Sequence, residues 1–215
     1  MLKLIYLPGD GYTPEVIAPF IDYLEAPGVE PTVIPLREMD EDCSYDDLEA
    51  DSYCAYIDTF VDTSSHYVIY GISKGGHWAR VYAAKRPQLI SKCILVEPTT
   101  LTPGLLVKFE EHRGNDFIED YRRIDARLPY LDSTHKALDA IVSDDSAYIP
   151  RCPTVVIWTS RDNQGQPYDE PVLHLKSQFI RYLRSHGCPV TVKHLDADHC
   201  VDTHERYDRA LLDLI

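Results

Sequence analysis

Six short apolar runs rich in β-branched residues recur along the chain: Leu4-Ile5-Tyr6-Leu7, Thr32-Val33-Ile34, Tyr67-Val68-Ile69-Tyr70, Cys93-Ile94-Leu95-Val96, Thr154-Val155-Val156-Ile157-Trp158 and Val190-Thr191-Val192. Each is continuous rather than alternating, which is the pattern of a strand covered on both faces. Segments with helical spacing lie between them. Thr13 is placed to cap a helix with Pro14 in its first position, and Val16, Ile17, Phe20, Ile21 and Leu24 form its apolar face. Cys54, Ile57 and Val61, beside Leu48, Ala55, Tyr56 and Phe60, mark a second helix. Val172, Leu175, Phe179, Tyr182 and Leu183 mark a third, closed by Gly187, and Tyr207, Ala210, Leu211 and Leu214 mark the last. Strands alternating with helices of this length imply an α/β domain with a mostly parallel sheet and right-handed crossovers. In such sheets functional residues gather at the carboxyl ends of the strands.

Composition narrows the class. With 215 residues, 44% of them hydrophobic, the chain has the size of one domain with a sizeable core. No run approaches 18 apolar residues, and the start MLKLIYLPGDG lacks the cationic flank and long apolar stretch of a signal peptide, so a cytoplasmic protein without a membrane span is expected. A formal charge of −14 repels phosphate backbones and anionic lipid, which argues against nucleic acid as a partner. The densest acidic stretch, residues 38–51 with eight carboxylates, reads as a solvated loop leading into a helix. Six cysteines without a CxxC pair read as small hydrophobes rather than a disulfide framework or zinc site.

The chemistry begins in Tyr70-Gly71-Ile72-Ser73-Lys74-Gly75-Gly76-His77, where Ser73 falls at the carboxyl end of the third strand. A sharp strand-to-helix turn is crowded, and glycines two before and two after the serine remove the Cβ atoms that would clash. The plain alternative is a serine that merely caps the helix. A serine hydroxyl is a poor nucleophile near neutral pH, so catalysis requires a histidine base and an acid to orient it. Of nine histidines, His199 stands out, in the loop HLDADHCVD between the sixth strand and the final helix. His77 lies one turn into the helix after Ser73, where packing or capping suits it better. Two carboxylates follow strands: Asp162 in TVVIWTSRDNQGQP and Glu97 in CILVEPTT. His194, Asp196, Asp198, His199, Asp202 and His204 also form a dense group of possible metal ligands, but His199 and His204 are five apart, which does not place both on one helix face.

With LPGDG after the first strand, GISKG as the elbow, WTSRD as the acid turn and ADH as the histidine loop, the chain resembles a compact member of the α/β-hydrolase superfamily over nearly its whole length. The resemblance implies a three-layer sandwich on a six-stranded sheet of order 2-1-3-4-5-6, without the family's two leading antiparallel strands. It also implies the triad Ser73, Asp162 and His199, with Glu97 as the rival acid. The oxyanion donors would be the backbone N–H groups of Lys74 and Asp10, with Gly11 as the other candidate; many relatives carry His-Gly where this chain has Pro8-Gly9. A cap-like insertion is expected at about 99–150, holding Phe109, Phe117, Tyr121, Tyr130 and the Arg122-Arg123 pair. The implied activity is hydrolysis of a carboxylic ester or thioester of a small or medium molecule through an acyl-enzyme, with no cofactor and no metal. The alternatives are a C–C hydrolase or lyase on the same triad, or a ligand-binding protein that keeps the fold without catalysis.

Overall fold

The computed structural model of the chain describes residues 1–9, 12–25, 28–37, 47, 49–98, 148–162, 164–168, 170–199, 201 and 208–215. Strands β1 (Leu2–Leu7), β2 (Val29–Val33), β3 (Tyr67–Ile72), β4 (Ile90–Val96), β5 (Thr154–Thr159) and β6 (Val190–Leu195) form one sheet in the order β2-β1-β3-β4-β5-β6. Every neighbouring pair is parallel. The described helices are α1 (Pro14–Glu25), α2 (Ala50–Asp58), α3 (Lys74–Lys85), α4 (Glu170–Ser185) and α5 (Asp208–Leu212).

Alternate residues of each central strand feed two separate cores, because successive side chains leave a strand on opposite faces. Ile5, Leu7, Ile69, Leu95, Val156 and Trp158 pack with Tyr53 and Ile57 of α2, Trp78 and Tyr82 of α3, and Phe179 and Leu183 of α4. Leu4, Tyr6, Tyr70, Ile94 and Ile157 pack with Ile17, Phe20 and Leu24 of α1 and Leu211 of α5. Helices therefore cover both faces of the sheet. The expected α/β three-layer architecture and strand order are those observed. A central position such as β3, buried at all six residues, can carry only apolar or tightly packed side chains, which is why its run is continuous.

The edges depart from that expectation. Strand β6 is nowhere fully buried, with Lys193 and His194 exposed, because no described strand covers its outer side. Strand β2 holds Pro31, which lacks an N–H for the ladder and is tolerated at an edge. On α1, Val16 points to solvent and the buried stripe is Ile17, Phe20 and Leu24. Helix α4 ends as expected at Gly187, with φ of 81° and the Cys188 N–H closing onto the Leu183 carbonyl at 3.0 Å.

Cys54, Cys93, Cys152 and Cys188 are buried free thiols. Burial pushes the Cys54 thiol up to about 12 and Cys93 well above its usual value, as suits packing rather than reactivity. Among the described residues no helix is long and apolar enough to cross a membrane. The insertion expected at about 99–150 lies outside the described residues apart from positions 148–150.

Candidate active site

Ser73 joins β3 to α3 with φ of 53° and ψ of −120°, a conformation that L-residues rarely adopt. Its backbone is pinned on both sides. The N–H donates to the Val96 carbonyl at 2.9 Å, and its carbonyl accepts the Gly76 N–H at 3.0 Å. The flanking glycines make this turn possible. A Cβ on Gly71 would lie 2.6 Å from the Gly75 carbonyl carbon, and one on Gly75 would lie 2.6 Å from the Leu7 carbonyl carbon. The Ser73 side chain makes no capping hydrogen bond to α3, so its hydroxyl is not used as the plain capping reading would have it.

The loop after β1 lies directly against this turn, since a Cβ on Gly9 would stand 3.3 Å from Ser73 Cβ. Lys74 opens α3, where backbone N–H groups have no carbonyl one turn back within the helix. Asp10 and Gly11, the other expected oxyanion donors, lie outside the described residues.

His199 follows β6, three strands from β3, yet its ring does not stay there. Its Nδ1 lies 3.8 Å from Oε2 of Glu97, which follows β4, so the histidine loop reaches back over β5 to the strand beside the elbow. The Tyr168 hydroxyl sits between them, 3.3 Å from Glu97 Oε2 and 3.4 Å from His199 Nδ1. Among the described residues no hydrogen bond joins Ser73 to His199. Burial lowers the basicity of the imidazole and Glu97 opposes that shift, while Lys176 reinforces it.

Glu97 is buried and bears φ of 42°. Its Oε1 accepts the Thr159 N–H, the Thr159 hydroxyl at 2.8 Å and Lys176 Nζ at 2.7 Å. Lys176, on α4, is itself buried and stands 3.4 Å from the centre of the Tyr168 ring and 4.9 Å from that of Trp158. Burial lowers its basicity, and the Glu97 carboxylate opposes the change.

Asp162 lies just past β5, as its place in the chain implies. Its Oδ1 accepts the N–H groups of Gln164 at 2.9 Å and Gln166 at 2.8 Å, closing a turn at Gly165, and its carbonyl receives the His199 N–H over a long 3.5 Å. The structure thus brings Glu97, Tyr168, Lys176 and His199 together around Nδ1, while the Asp162 carboxylate organises its own turn. Lys176 and Tyr168 do not stand out in the sequence. One signal for the lysine was available: position 176 keeps helical spacing with buried Phe179, Ile180 and Leu183, so a charge there sits on an apolar stripe.

The remaining histidines have plainer places. His77 is buried, with Nε2 lacking a partner among the described residues, and burial together with Arg80 and Lys74 holds it well below its usual value. Its ring packs edge-on to Trp78 in the core. His194 is exposed on β6.

The architecture recurs among solved structures. An alpha/beta hydrolase enzyme from the metagenome of sediments of the Mar Chica lagoon, Morocco, superposes with a TM-score of 0.65 at 18% identity, over 99% of this chain and 89% of that one. A monoacylglycerol lipase from Paleococcus ferrophilus gives 0.62 at 14% identity over 98% and 92%. This chain has the α/β-hydrolase fold. An epoxide hydrolase from Bacillus megaterium matches with a TM-score of 0.64 at 12% identity, over 100% and 93%, so one α/β-hydrolase architecture spans lipase and epoxide chemistry. No protein-family model and no curated protein sequence matches the chain.

Proposed function

We propose that the protein is a serine hydrolase that cleaves a carboxylic ester or thioester of a small or medium molecule through an acyl-enzyme. The observation that carries this reading is the strained Ser73 turn, whose hydroxyl is left out of the helix cap at the carboxyl edge of a buried strand. Ser73 attacks the acyl carbon, His199 takes the hydroxyl proton and returns it to the leaving group, and the oxyanion is held by the N–H of Lys74 with that of Asp10 or Gly11. A carboxylate at Nδ1 stabilises the imidazolium. Chain order favours Asp162 for that role, and the contacts around Nδ1 favour Glu97. The reading needs no cofactor.

A fluorophosphonate probe tests it. Ser73 is expected to be the one serine modified, and Ser73→Ala to abolish labelling while the far-ultraviolet circular dichroism is unchanged. Equal labelling of the variant would remove Ser73 as nucleophile. A protein that binds small esters but neither reacts with the probe nor turns them over would be the ligand-binding form of the fold.

A further inference from the structure

We propose that Glu97, locked in place by Lys176, is the carboxylate that serves His199, and that Lys176 is a positioning residue which also tempers the charge the imidazole meets. The proposal rests on the reading of His199 as general base. The two oxygens of Glu97 have separate duties. Oε1 is saturated by the Thr159 N–H, the Thr159 hydroxyl and the Lys176 ammonium, while Oε2 faces only Tyr168 and His199 among the contacts described. A side chain fixed at one oxygen cannot rotate away from the ring it presents to the other, and such fixing is what a carboxylate needs to hold one tautomer and orientation of a histidine.

Lys176 is the costly part of this arrangement. An ammonium on the buried stripe of α4 must be paired or lose its charge, and a leucine or methionine would fill the position without that demand. Among the described residues its one carboxylate partner is Glu97, and the Tyr168 and Trp158 rings fix where it stands. The Oε2 to Nδ1 distance of 3.8 Å exceeds a hydrogen bond, and the Tyr168 hydroxyl spans it, donating to Oε2 and accepting from Nδ1–H. The proton moves from Ser73 Oγ to His199 Nε2 while Nδ1 keeps its own, and none passes to Glu97. The groups that bear on the ring are Glu97 after β4, Lys176 on α4, Asp162 and Tyr168 between β5 and α4, and Asp198 in the histidine's own loop.

Because carboxylate and ammonium act on the ring with opposite sign, their removal moves its titration in opposite directions. The measurement is the His199 imidazole pKa by NMR, made in a Ser73→Ala background so that it does not require turnover. Glu97→Gln is expected to lower that pKa and Lys176→Met to raise it, each by about half a unit or more, with Lys176→Arg close to the parent and Asp162→Asn moving it less than Glu97→Gln. Should Glu97→Gln fail to fold around an orphaned ammonium, Glu97→Gln/Lys176→Met, which removes both charges, still lowers the pKa. A largest shift from Asp162→Asn, or no upward shift from Lys176→Met, overturns the proposal. With Ser73 present, Glu97→Gln is expected to cost about a hundredfold or more in kcat and Lys176→Met to move the acid limb of kcat/KM upward. Opposed NMR shifts in a protein without esterase turnover would overturn the hydrolase reading alone.

Discussion

Ser73 and Glu97 are the two non-glycine residues with positive φ among the described residues, at 53° and 42°, and they end adjacent strands. Each conformation costs roughly 1–3 kcal/mol and persists only where the surroundings over-determine it. For Ser73 the determinants are backbone hydrogen bonds and flanking glycines; for Glu97 they are Thr159 and Lys176. In both cases the strained residue sits just past the carboxyl end of its strand. Tyr168 is the link that can be cut most cleanly. Burial and the Glu97 carboxylate both push its phenol up, so it stays protonated and able to donate. Tyr168→Phe should keep the ring over Lys176 and lose only the hydroxyl between Oε2 and Nδ1. The expected result is a fall of about tenfold in kcat, the worth of a hydrogen bond to a charged group, with KM unchanged, measured on a short p-nitrophenyl ester. An unaltered kcat would reduce Tyr168 to packing. His199→Gln should remove most of the rate together with the acid limb of the profile, since only the neutral imidazole accepts the serine proton; wild-type turnover in that variant would move the base elsewhere.

At the scale of elements, the elbow depends on how closely α3 approaches β1. A Cβ at Gly75 would strike the main chain of Leu7 and Pro8, which cannot yield as a side chain can, so Gly75→Ala is expected to destabilise by about 2 kcal/mol or more, read as a lower urea midpoint. Gly28→Ala is the control: nothing lies within 4 Å, and only its φ of 88° resists, for about 1 kcal/mol. Equal losses at the two sites would show that crowding is not what the elbow glycine relieves. The same elements show what a sequence can reveal. Strands β1, β3, β4 and β5 were legible because burial on two faces demands continuous apolar runs, and Ser73 was legible because crowding demands glycines at fixed offsets. Strand ends were harder to read: β4 starts at Ile90 ahead of polar Ser91 and Lys92, and β6 runs on through Lys193 and His194. The surroundings of Nδ1 were not legible as a set. Glu97, Tyr168 and Lys176 come from a strand end, a loop and a helix up to 79 residues apart, and only the tertiary fold decides which carboxylate is turned toward the ring. Its place after the fifth strand, between Ser73 and His199 in chain order, made Asp162 conspicuous, yet the plain rule for aspartate in turns explains the work its carboxylate does beside Gln164 and Gln166.

For the whole molecule, two of the described imidazoles, whose proton affinity burial lowers, are expected to shape the response to acid. His77 and His199 both have their proton affinity lowered, first by desolvation and then by neighbouring cations, Arg80 and Lys74 for the one and Lys176 for the other, with Glu97 partly opposing at His199. In the unfolded chain each titrates near its ordinary value of about 6.5. Below that value the unfolded state binds protons that the folded state refuses. Stability that is fully present above about pH 6.5 is therefore lost as pH falls toward the folded values, at up to about 1.4 kcal/mol per pH unit for each proton. Reduced self-repulsion works the other way, because acid titrates part of the net charge of −14. That term is spread over exposed groups and is screened within about 8 Å at physiological salt, whereas burial of an imidazole is not screened, so the histidines should dominate in salt. The expected outcome is a urea midpoint that falls between pH 7.5 and 5.5 at physiological ionic strength, with a visibly shallower fall in His77→Gln, which keeps a polar side chain but cannot take up a proton. Parallel curves for the two proteins would mean that His77 accepts its proton in the folded state, and the acid response would then have to come from the carboxylates.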